Sequence, residues 1–203
     1  VREWNKFTTQ QSAAVTLTAG QKYYVEVLHK EGAGNDHFAV GWTRPGKSTI
    51  DVITSSYLSP YVDNLLANGS FESNSLNGWA NWGNTQVVNT NASQGTYAAR
   101  VGTASGGFAQ EIHSGFAAGN TVRLEASAFA DATASLIEVA VKFKNSSNQD
   151  VNAGATLSFN QTTYQTKYVD VTVPAGTAYI QVYAWKGTSS GYAYVDHLKL
   201  TKQ

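Results

Sequence analysis

Short stretches of alternating apolar and polar residues recur along the chain, separated by clusters of Gly, Asn and Ser. In the first part, residues 13–19, 22–29 and 38–43 alternate in this way, and the first two stretches flank a turn at Gly20 and Gln21. A period of two residues predicts β-strands, and the turn predicts a hairpin. Three short strands bury too little apolar surface to be stable alone. We therefore expect a small N-terminal β segment that packs either on the second domain or on a missing partner.

The rest of the chain carries nine such segments, at residues 65–71, 82–89, 97–102, 107–112, 121–130, 135–144, 164–173, 178–185 and 193–200. No amphipathic stretch long enough for a helix separates them. Regularly spaced short strands are typical of antiparallel sheets packed face to face. The pattern predicts an all-β chain, with a β-sandwich at residues 62–203 and the smaller segment at 1–61. The boundary is set by Pro60 and the polar residues that follow it.

The composition excludes several classes of partner. Charged residues make up only 14% of the 203 residues, and fourteen basic side chains balance fourteen acidic ones without any basic run. Binding to nucleic acid or to an anionic membrane surface is therefore not expected. No cysteine is present, which excludes thiolate chemistry, and no apolar run approaches the roughly 20 residues that span a bilayer. The Val-, Thr- and Tyr-rich strands and polar turns are typical of a secreted bacterial β-protein, so we expect an extracellular location.

The N-terminal segment carries the stretch LTAGQKYYVEVLHKEGAGNDHFAVGWTRPG and the later YLSPY. These residues resemble the C-terminal part of the protective-antigen type domain, a β-barrel of bacterial glycan-active proteins. The resemblance covers roughly residues 4–60. It implies that residues 1–61 are the C-terminal portion of such a domain.

The second part carries five motifs in order: NLLANGSFE, a Gly-Trp pair, GTYAARV, a Pro-Ala-Gly turn and the closing VDHLKL. Together they resemble the carbohydrate-binding modules of families four, nine and twenty-two, over nearly all of residues 64–200. The resemblance implies a jelly-roll sandwich that binds a polysaccharide or oligosaccharide without catalysis. It also implies a glycan-degrading catalytic domain in the same parent chain, which the module targets to its substrate.

Two carboxylates lie at the ends of otherwise apolar strands, in the first and last of these motifs. Glu72 and Asp196 have little reason to be there unless they bind something, and carboxylate and carbonyl oxygens suit Ca²⁺. The resemblance adds backbone carbonyls near Gly69 and near Gln94 or Gly95 as further ligands. A structural calcium ion is therefore expected, and the alternative is that both acids only form hydrogen bonds in turns.

A neutral glycan needs flat aromatic rings flanked by amides. In the segment IQVYAWKG, the alternation places Gln181, Tyr183 and Trp185 on the face opposite the core. The same reasoning adds outward residues of other strands, and Gln110 with Phe108 to extend the surface. We predict that these residues line one concave sheet as the sugar site: Trp82, Gln110, Arg123, Glu125, Lys142, Gln181, Tyr183 and Trp185.

Each candidate has an alternative explanation. Trp79, in the Gly-Trp motif, is expected in the core rather than on the platform, whereas Trp82 is as readily one as the other. Tyr183 and Trp185 are equally compatible with a surface that residues 1–60 cover. Lys142 and Lys144 with Arg123 would suit an acidic polysaccharide, or form an ordinary solvated face.

An enzyme is not expected. The acids are scattered rather than paired as in glycosidases, the four histidines lack metal-ligand spacing, and no Gly-x-Ser-x-Gly motif is present. Two alternatives to a binding module remain at this point. One is a jelly-roll polysaccharide lyase, and the other is a structural or adhesive module of a surface protein.

Overall fold

A computed structural model describes residues 7–18, 23–28, 38–58, 63–152 and 154–203. The chain divides into two compact units, Val1–Tyr61 and Val62–Gln203. Within the described residues no helix is long and apolar enough to cross a membrane. The two units are described separately below.

The first unit contains one described hairpin. Strands β1 (Gly41–Arg44) and β2 (Lys47–Val52) pair antiparallel, and Gly46 adopts a φ of 80° in the turn between them. Two short 3₁₀ helices cover Thr8–Gln10 and Ser55–Tyr57, and the ring of Tyr57 meets that of Trp42 edge-on at 5.1 Å. The hairpin lies slightly later in the chain than the predicted strand at residues 38–43.

The predicted hairpin of residues 13–19 and 22–29 is not formed in the described part of these segments. Residues 13–18 and 23–28 carry no strand, and their large apolar side chains are exposed, Leu28 to 88%. Alternation marks a possible face, but a strand also needs a paired neighbour and a layer that covers it. The predicted turn at Gly20 and Gln21 lies outside the described residues. The likeness of this unit to a protective-antigen type domain stays a prediction.

The second unit is a sandwich of two five-stranded antiparallel sheets. The front sheet has the order β3-β6-β11-β8-β9, and the back sheet has the order β10-β7-β12-β5-β4. The strands are β3 (Ala80–Trp82), β4 (Thr85–Val88), β5 (Ala98–Val101), β6 (Gly106–Ile112), β7 (Thr121–Ala130), β8 (Ile137–Lys144), β9 (Ala155–Phe159), β10 (Gln165–Thr172), β11 (Tyr179–Lys186) and β12 (Ala193–Lys202). The all-β sandwich prediction is confirmed.

The core lies between the two sheets and is built by alternation along each strand. In β11, Ile180, Val182 and Ala184 are fully buried, and β7 contributes Val122 and Leu124 from the opposite sheet. Each buried aliphatic or aromatic side chain contributes about 1.5–3 kcal/mol by leaving water. Strand β11 therefore presents an apolar face inward and leaves its other face partly exposed to solvent.

One end of the core is an aromatic cluster. The rings of Phe71, Trp79 and Phe108 meet one another at centroid distances of 5.2–6.0 Å. Trp79 is 5% exposed, and its indole N–H donates to the carbonyl of Asn68 at 3.2 Å. The Gly-Trp motif therefore supplies a core residue, as expected.

Three details differ from the predicted strands. Residues 65–71 form turns rather than a strand, because Asn68 and Phe71 have positive φ values of 51° and 58°. The predicted strand 82–89 is divided at Gly83, where φ is 65° and a Cβ would meet the carbonyl of Ser105 at 2.4 Å. β9 was not predicted, because the segment around it is rich in polar residues and only pairing with β8 defines it.

The first and last motifs meet although they lie at opposite ends of the unit. The side-chain amide of Asn64 donates to the carbonyl of Leu198, and its oxygen accepts from the N–H groups of Leu66 and Leu200. The N–H of Leu65 also donates to the carbonyl of Leu200 at 2.8 Å. These bonds join the start of the second unit to its end. They hold together the segment just before Glu72 and the segment just after Asp196, the two predicted calcium ligands.

Candidate functional site

The outer face of the front sheet carries two tryptophans in one row. Gly107 of β6 pairs with Trp82 of β3 on one side and with Trp185 of β11 on the other. A Cβ on Gly107 would approach Cζ2 of Trp82 to 2.7 Å, so that indole lies over the glycine backbone. Trp82 is 41% exposed and Trp185 is 38% exposed. Both rings are therefore available to a ligand.

The next row places a tyrosine between two alanines. Tyr183 pairs with Ala109 of β6 and Ala140 of β8, and Ala80 of β3 pairs with Ala109. Because the neighbouring side chains are small, they do not cover the ring of Tyr183, and this residue is half-buried. Trp82, Trp185 and Tyr183 lie in two adjacent rows of the same face, and these three residues are called here the aromatic platform.

Polar side chains border the aromatic platform. Gln181 pairs with Glu111 and with Lys142, and Trp185 pairs with Glu138. A glutamine and two carboxylates supply the donors and acceptors that sugar hydroxyls use. The prediction placed Gln181, Tyr183, Trp185 and Lys142 on one face, and the sheet register agrees.

The two lysines on this face are already paired. Nζ of Lys142 lies 3.2 Å and Nζ of Lys144 lies 2.6 Å from carboxylate oxygens of Asp150. The hydrogen bonds from Lys144 and Lys142 lower the pKa of Asp150 below its usual value. Lys142 also lies 5.8 Å from the centroid of the Tyr183 ring. The lysines therefore do not form a free basic surface for an acidic polysaccharide.

Gln110 does not lie on this face, so its predicted position on the outer surface of the sheet is wrong. It shares the parity of Phe108 and Ile112, points inward and is only 8% exposed. Its side-chain oxygen accepts from the N–H of Ala67 at 2.8 Å, and its NH₂ group donates to the carbonyls of Ala67 and Gly78. The amide is thus fully used in joining two loops to β6.

Arg123 and Glu125 do not line this face either, because β7 belongs to the back sheet. Arg123 binds both carboxylate oxygens of Asp170 at 2.7 Å and lies over the Tyr168 ring at 4.1 Å. Glu125 lies 3.5 Å from Lys199 and 3.6 Å from His197. The prediction of a single sheet for all eight residues is therefore wrong, since alternation within a strand does not say to which sheet the strand belongs.

Tyr179 and Glu111 belong to the front face and were not among the predicted site residues. Tyr179 has the same parity as Gln181, Tyr183 and Trp185, and its ring lies 5.1 Å from that of His113. Its hydroxyl group is hydrogen-bonded to the side chain of Asn148. The position of Tyr179 on this face could have been predicted from the alternation along β11. The position of Glu111 beside Gln181 could not, because it depends on the pairing of β6 with β11.

Both predicted carboxylate ligands of calcium hold the same loop. Asp196, which is 1% exposed, accepts hydrogen bonds from the N–H groups of Ser93 and Gln94 at 2.9 and 3.0 Å. Glu72 accepts from the N–H groups of Thr96 and Tyr97 at 2.9–3.1 Å. The two acids therefore bind the two ends of residues 93–97, which we call the clasped loop.

The buried carboxylate of Asp196 has a raised pKa, because burial disfavours its charge more than its backbone hydrogen bonds favour it. Neither Asp196 nor Glu72 forms an ion pair with a basic side chain in the described part of the chain. An ionised carboxylate has about four lone-pair sites, so both retain capacity for a further ligand. The carbonyl of Gly69 accepts from the N–H of Leu198 at 2.8 Å and retains its second lone pair. The chemistry of this donor set fits a hard cation, although no cluster of three or more His, Cys, Asp or Glu occurs among the described residues.

Lys186 is buried beneath the platform. Its side chain follows Trp185 on the opposite face of β11, is fully buried and donates to the carbonyls of Ala104 and Gly187 at 3.3 and 3.2 Å. Burial lowers the pKa of Lys186 below its ordinary value. The ammonium group thus ties the loop before β6 to the end of β11.

An antiparallel β-sandwich with an exposed aromatic platform bordered by amide and carboxylate groups defines a carbohydrate-binding module. Residues 63–199 match a family model described as carbohydrate binding domain, and the chain belongs to this family. The domain therefore binds carbohydrate and is not catalytic. This assignment, rather than a polysaccharide lyase, accounts for the second unit.

Solved structures show the same architecture. A family 16 carbohydrate binding module is 25% identical, covers 68% of this chain and 99% of its own, and has a TM-score of 0.59. The CBM22-1 xylan-binding domain of Xyn10C from Paenibacillus barcinonensis is 14% identical over 71% of this chain and 97% of its own, with a TM-score of 0.55. A third, TmCBM61 in complex with β-1,4-galactotriose, is 18% identical over 70% of this chain and 99% of its own, with a TM-score of 0.53.

One curated protein matches a short segment. N-acetyl-beta-glucosaminyl-glycoprotein 4-beta-N-acetylgalactosaminyltransferase 1 of Mus musculus is 41% identical over 64 residues, which are 30% of this chain. The match spans 6% of that protein's length. The similarity therefore concerns one segment of a much longer protein.

Proposed function

We propose that the second unit binds a neutral polysaccharide chain across the aromatic platform of the front sheet. The observation that carries this proposal is the row Trp82–Gly107–Trp185, in which two exposed indoles flank a residue without a side chain. Tyr183 extends the surface in the next row. The C–H faces of sugar rings stack on aromatic rings of this kind, and successive rings allow several sugar units to be held.

The polar border sets the preference for a neutral ligand. Gln181 offers both a donor and an acceptor, while Glu111 and Glu138 accept hydrogen bonds from hydroxyl groups. The two lysines of this face share the single carboxylate of Asp150, whose one negative charge offsets half of theirs. A carboxylate-bearing chain would therefore meet Glu111 and Glu138 and only lysines that already bind Asp150, whereas a neutral chain would use these acids as hydrogen-bond acceptors.

Two of the similar structures support this ligand class, since one is a xylan-binding domain and another is a complex with β-1,4-galactotriose. The proposed ligand is therefore a neutral chain of linked sugar rings. The low charge of the chain, 14% of residues, suits a module that works at an extracellular polysaccharide. The proposal includes a bacterial, secreted parent protein whose glycan-degrading domain this module brings to its substrate.

A structural calcium ion is also part of the proposal. Glu72 and Asp196 would hold it at the clasped loop, with the carbonyl groups of Gly69 and Gln94 as further oxygen ligands. The support is that two carboxylates, one of them fully buried, hold one loop without a basic side chain to balance them. The ion would fix the loop and the first and last motifs of the domain, and it would take no part in sugar binding.

Affinity electrophoresis of the full chain in gels that contain neutral polysaccharides tests the sugar site. We expect at least one neutral glucan, galactan or xylan to retard the protein. Trp185→Ala should weaken that binding about tenfold by removing one stacking ring. Tyr168→Ala is the matched control, because it removes an exposed aromatic ring from the back sheet.

Equal retardation of wild type and Trp185→Ala, with both folded by circular dichroism, would show that the platform is not the site. Retardation of neither protein by any polysaccharide of the panel would contradict the proposed ligand class. A protein or adhesive partner would then be the better explanation for the exposed rings.

A further inference from the structure

Two arginines on the outer face of the back sheet differ in one respect. Arg123 of β7 lies over the ring of Tyr168 at 4.1 Å and binds Asp170 through two nitrogens at 2.7 Å. Arg100 of β5 lies over the ring of Tyr192 at 4.6 Å in the same way. In the described part of the chain, however, Arg100 has no acidic partner and its Nε, shielded from water, has no hydrogen-bond acceptor.

A stacked arginine without an acceptor is unusual at a partly buried position. The guanidinium group is always charged, and its fixed fork of donors matches a carboxylate. Because the Tyr192 ring holds its plane, little side-chain entropy would be lost when an acceptor binds. On the same face, Arg123 has such an acceptor, the carboxylate of Asp170.

Arg100 also lines a hollow at the edge of the back sheet. The hollow has a volume of about 460 Å³, within the roughly 300–1,000 Å³ of small-molecule sites. Its other polar lining comes from Asn74, Asn89, Thr90 and Tyr97. Among the described residues none of these four side chains has a hydrogen-bond partner, so two amides and two hydroxyl groups remain available beside the arginine.

The walls of the hollow are held in place by other bonds. Glu72 binds the N–H groups of Thr96 and Tyr97, which fixes the loop that carries Tyr97 beside Asn74. Val88 and Arg100 belong to the paired strands β4 and β5. The hollow is therefore preorganised, and it lies on the sheet opposite the aromatic platform.

We infer that this hollow is a second saccharide site, which takes a sugar that bears a carboxylate group, such as a uronic acid. The carboxylate binds the guanidinium group of Arg100 on the side where this residue lines the hollow. The amide and hydroxyl groups of the lining bind the ring hydroxyls. This site differs from the platform in both position and ligand charge, and it does not depend on the platform's function.

The test uses the ¹⁵N-labelled full chain, because the Nε–H signals of arginines are observed directly by NMR. Glucuronate is titrated in parallel with glucose and with acetate. We expect glucuronate to shift the Arg100 signal and leave the Arg123 signal in place. Glucose should shift neither signal, and acetate should do so only at much higher concentration.

Three variants locate the site. Arg100→Gln should weaken glucuronate binding about tenfold or more, and Arg100→Lys should recover only part of it because the fork is lost. Arg123→Gln should bind glucuronate as the wild type does. Retardation by neutral polysaccharide should be the same in all three variants, which separates this inference from the proposed platform.

An unchanged Arg100 signal at saturating glucuronate would overturn the inference, and this result does not depend on whether a variant folds. Equal binding of acetate and glucuronate would also overturn it, because the hollow would then be an anion site without sugar recognition. Loss of glucuronate binding in Arg123→Gln but not in Arg100→Gln would place the site elsewhere on the back sheet.

Discussion

Trp82 and Trp185 lie on opposite sides of Gly107, so the two largest exposed rings of the second unit share one glycine as their common neighbour. The arrangement requires three strands, since β3, β6 and β11 each supply one residue. Any side chain at position 107 of β6 would have to displace the ring of Trp82 or the neighbouring backbone. The glycine is thus as much a part of the platform as the tryptophans.

Gly107→Ala tests this relationship. The new Cβ would meet the carbonyl oxygen of Ala184 at 2.2 Å and the Trp82 ring at 2.7 Å, so either the backbone or the indole must move. We expect a loss of about 1–3 kcal/mol in the free energy of unfolding, together with weaker retardation by neutral glycan. Denaturant unfolding and affinity electrophoresis measure the two effects. Gly187→Ala is the control, because its Cβ would make only ordinary contacts at 3.4 Å or more; an equal effect in both variants would contradict the prediction.

The two glutamines of the predicted site should respond in opposite ways. Gln110→Ala removes three hydrogen bonds to backbone groups of Ala67 and Gly78, so we expect a loss of about 2–3 kcal/mol in stability and no change in glycan affinity. Gln181→Ala should lower affinity and leave stability within about 0.5 kcal/mol. Thermal unfolding and electrophoresis of both variants decide the matter. A stable Gln110→Ala protein with reduced affinity would restore Gln110 to the sugar site.

Removal of calcium should destabilise the domain. If Glu72 and Asp196 hold an ion, a chelator lowers the unfolding temperature of the wild type and added Ca²⁺ restores it, because binding to the folded state alone stabilises it. Asp196→Asn should abolish this response and also weaken the clasped loop, since an amide NH₂ would face backbone N–H groups. Differential scanning calorimetry with and without chelator is the measurement. An unfolding temperature that is the same in both conditions would show that the carboxylates act only as hydrogen-bond acceptors for the loop.

Lys186 should give the stability a pH dependence at alkaline pH. Burial holds the pKa of Lys186 in the folded protein below the ordinary 10.5. At any pH between that lowered pKa and 10.5, the unfolded chain therefore binds more protons than the folded chain. Stability from this group therefore rises with pH across that window. Relative to Lys186→Met, the wild type should gain stability as the pH is raised towards 10.5, as measured by urea unfolding. Lys202→Met removes an exposed lysine from the end of β12 and serves as control; a constant difference between wild type and Lys186→Met would contradict the prediction.

Part of the sugar site could be predicted from one strand alone. The alternation in IQVYAWKG placed Gln181, Tyr183 and Trp185 together, because residues of one strand with the same parity share a face. The same rule assigned Arg123 to an outward face correctly, but it could not say that β7 belongs to the back sheet. For Gln110 the rule favoured the core, since Phe108 and Ile112 share its parity, and the polarity of its side chain concealed this.

The alternation, the turns and the order of the motifs depend on residues close together in the chain, so they could be read from the sequence and were sufficient to predict an all-β domain of a carbohydrate-binding family. Only the tertiary structure decided which strands are neighbours. It brought Trp82 to Trp185 across Gly107, and both Glu72 and Asp196 to one loop. Contacts of this kind depend on sheet order and register, which come from the packing of two whole sheets and are not encoded in any single segment.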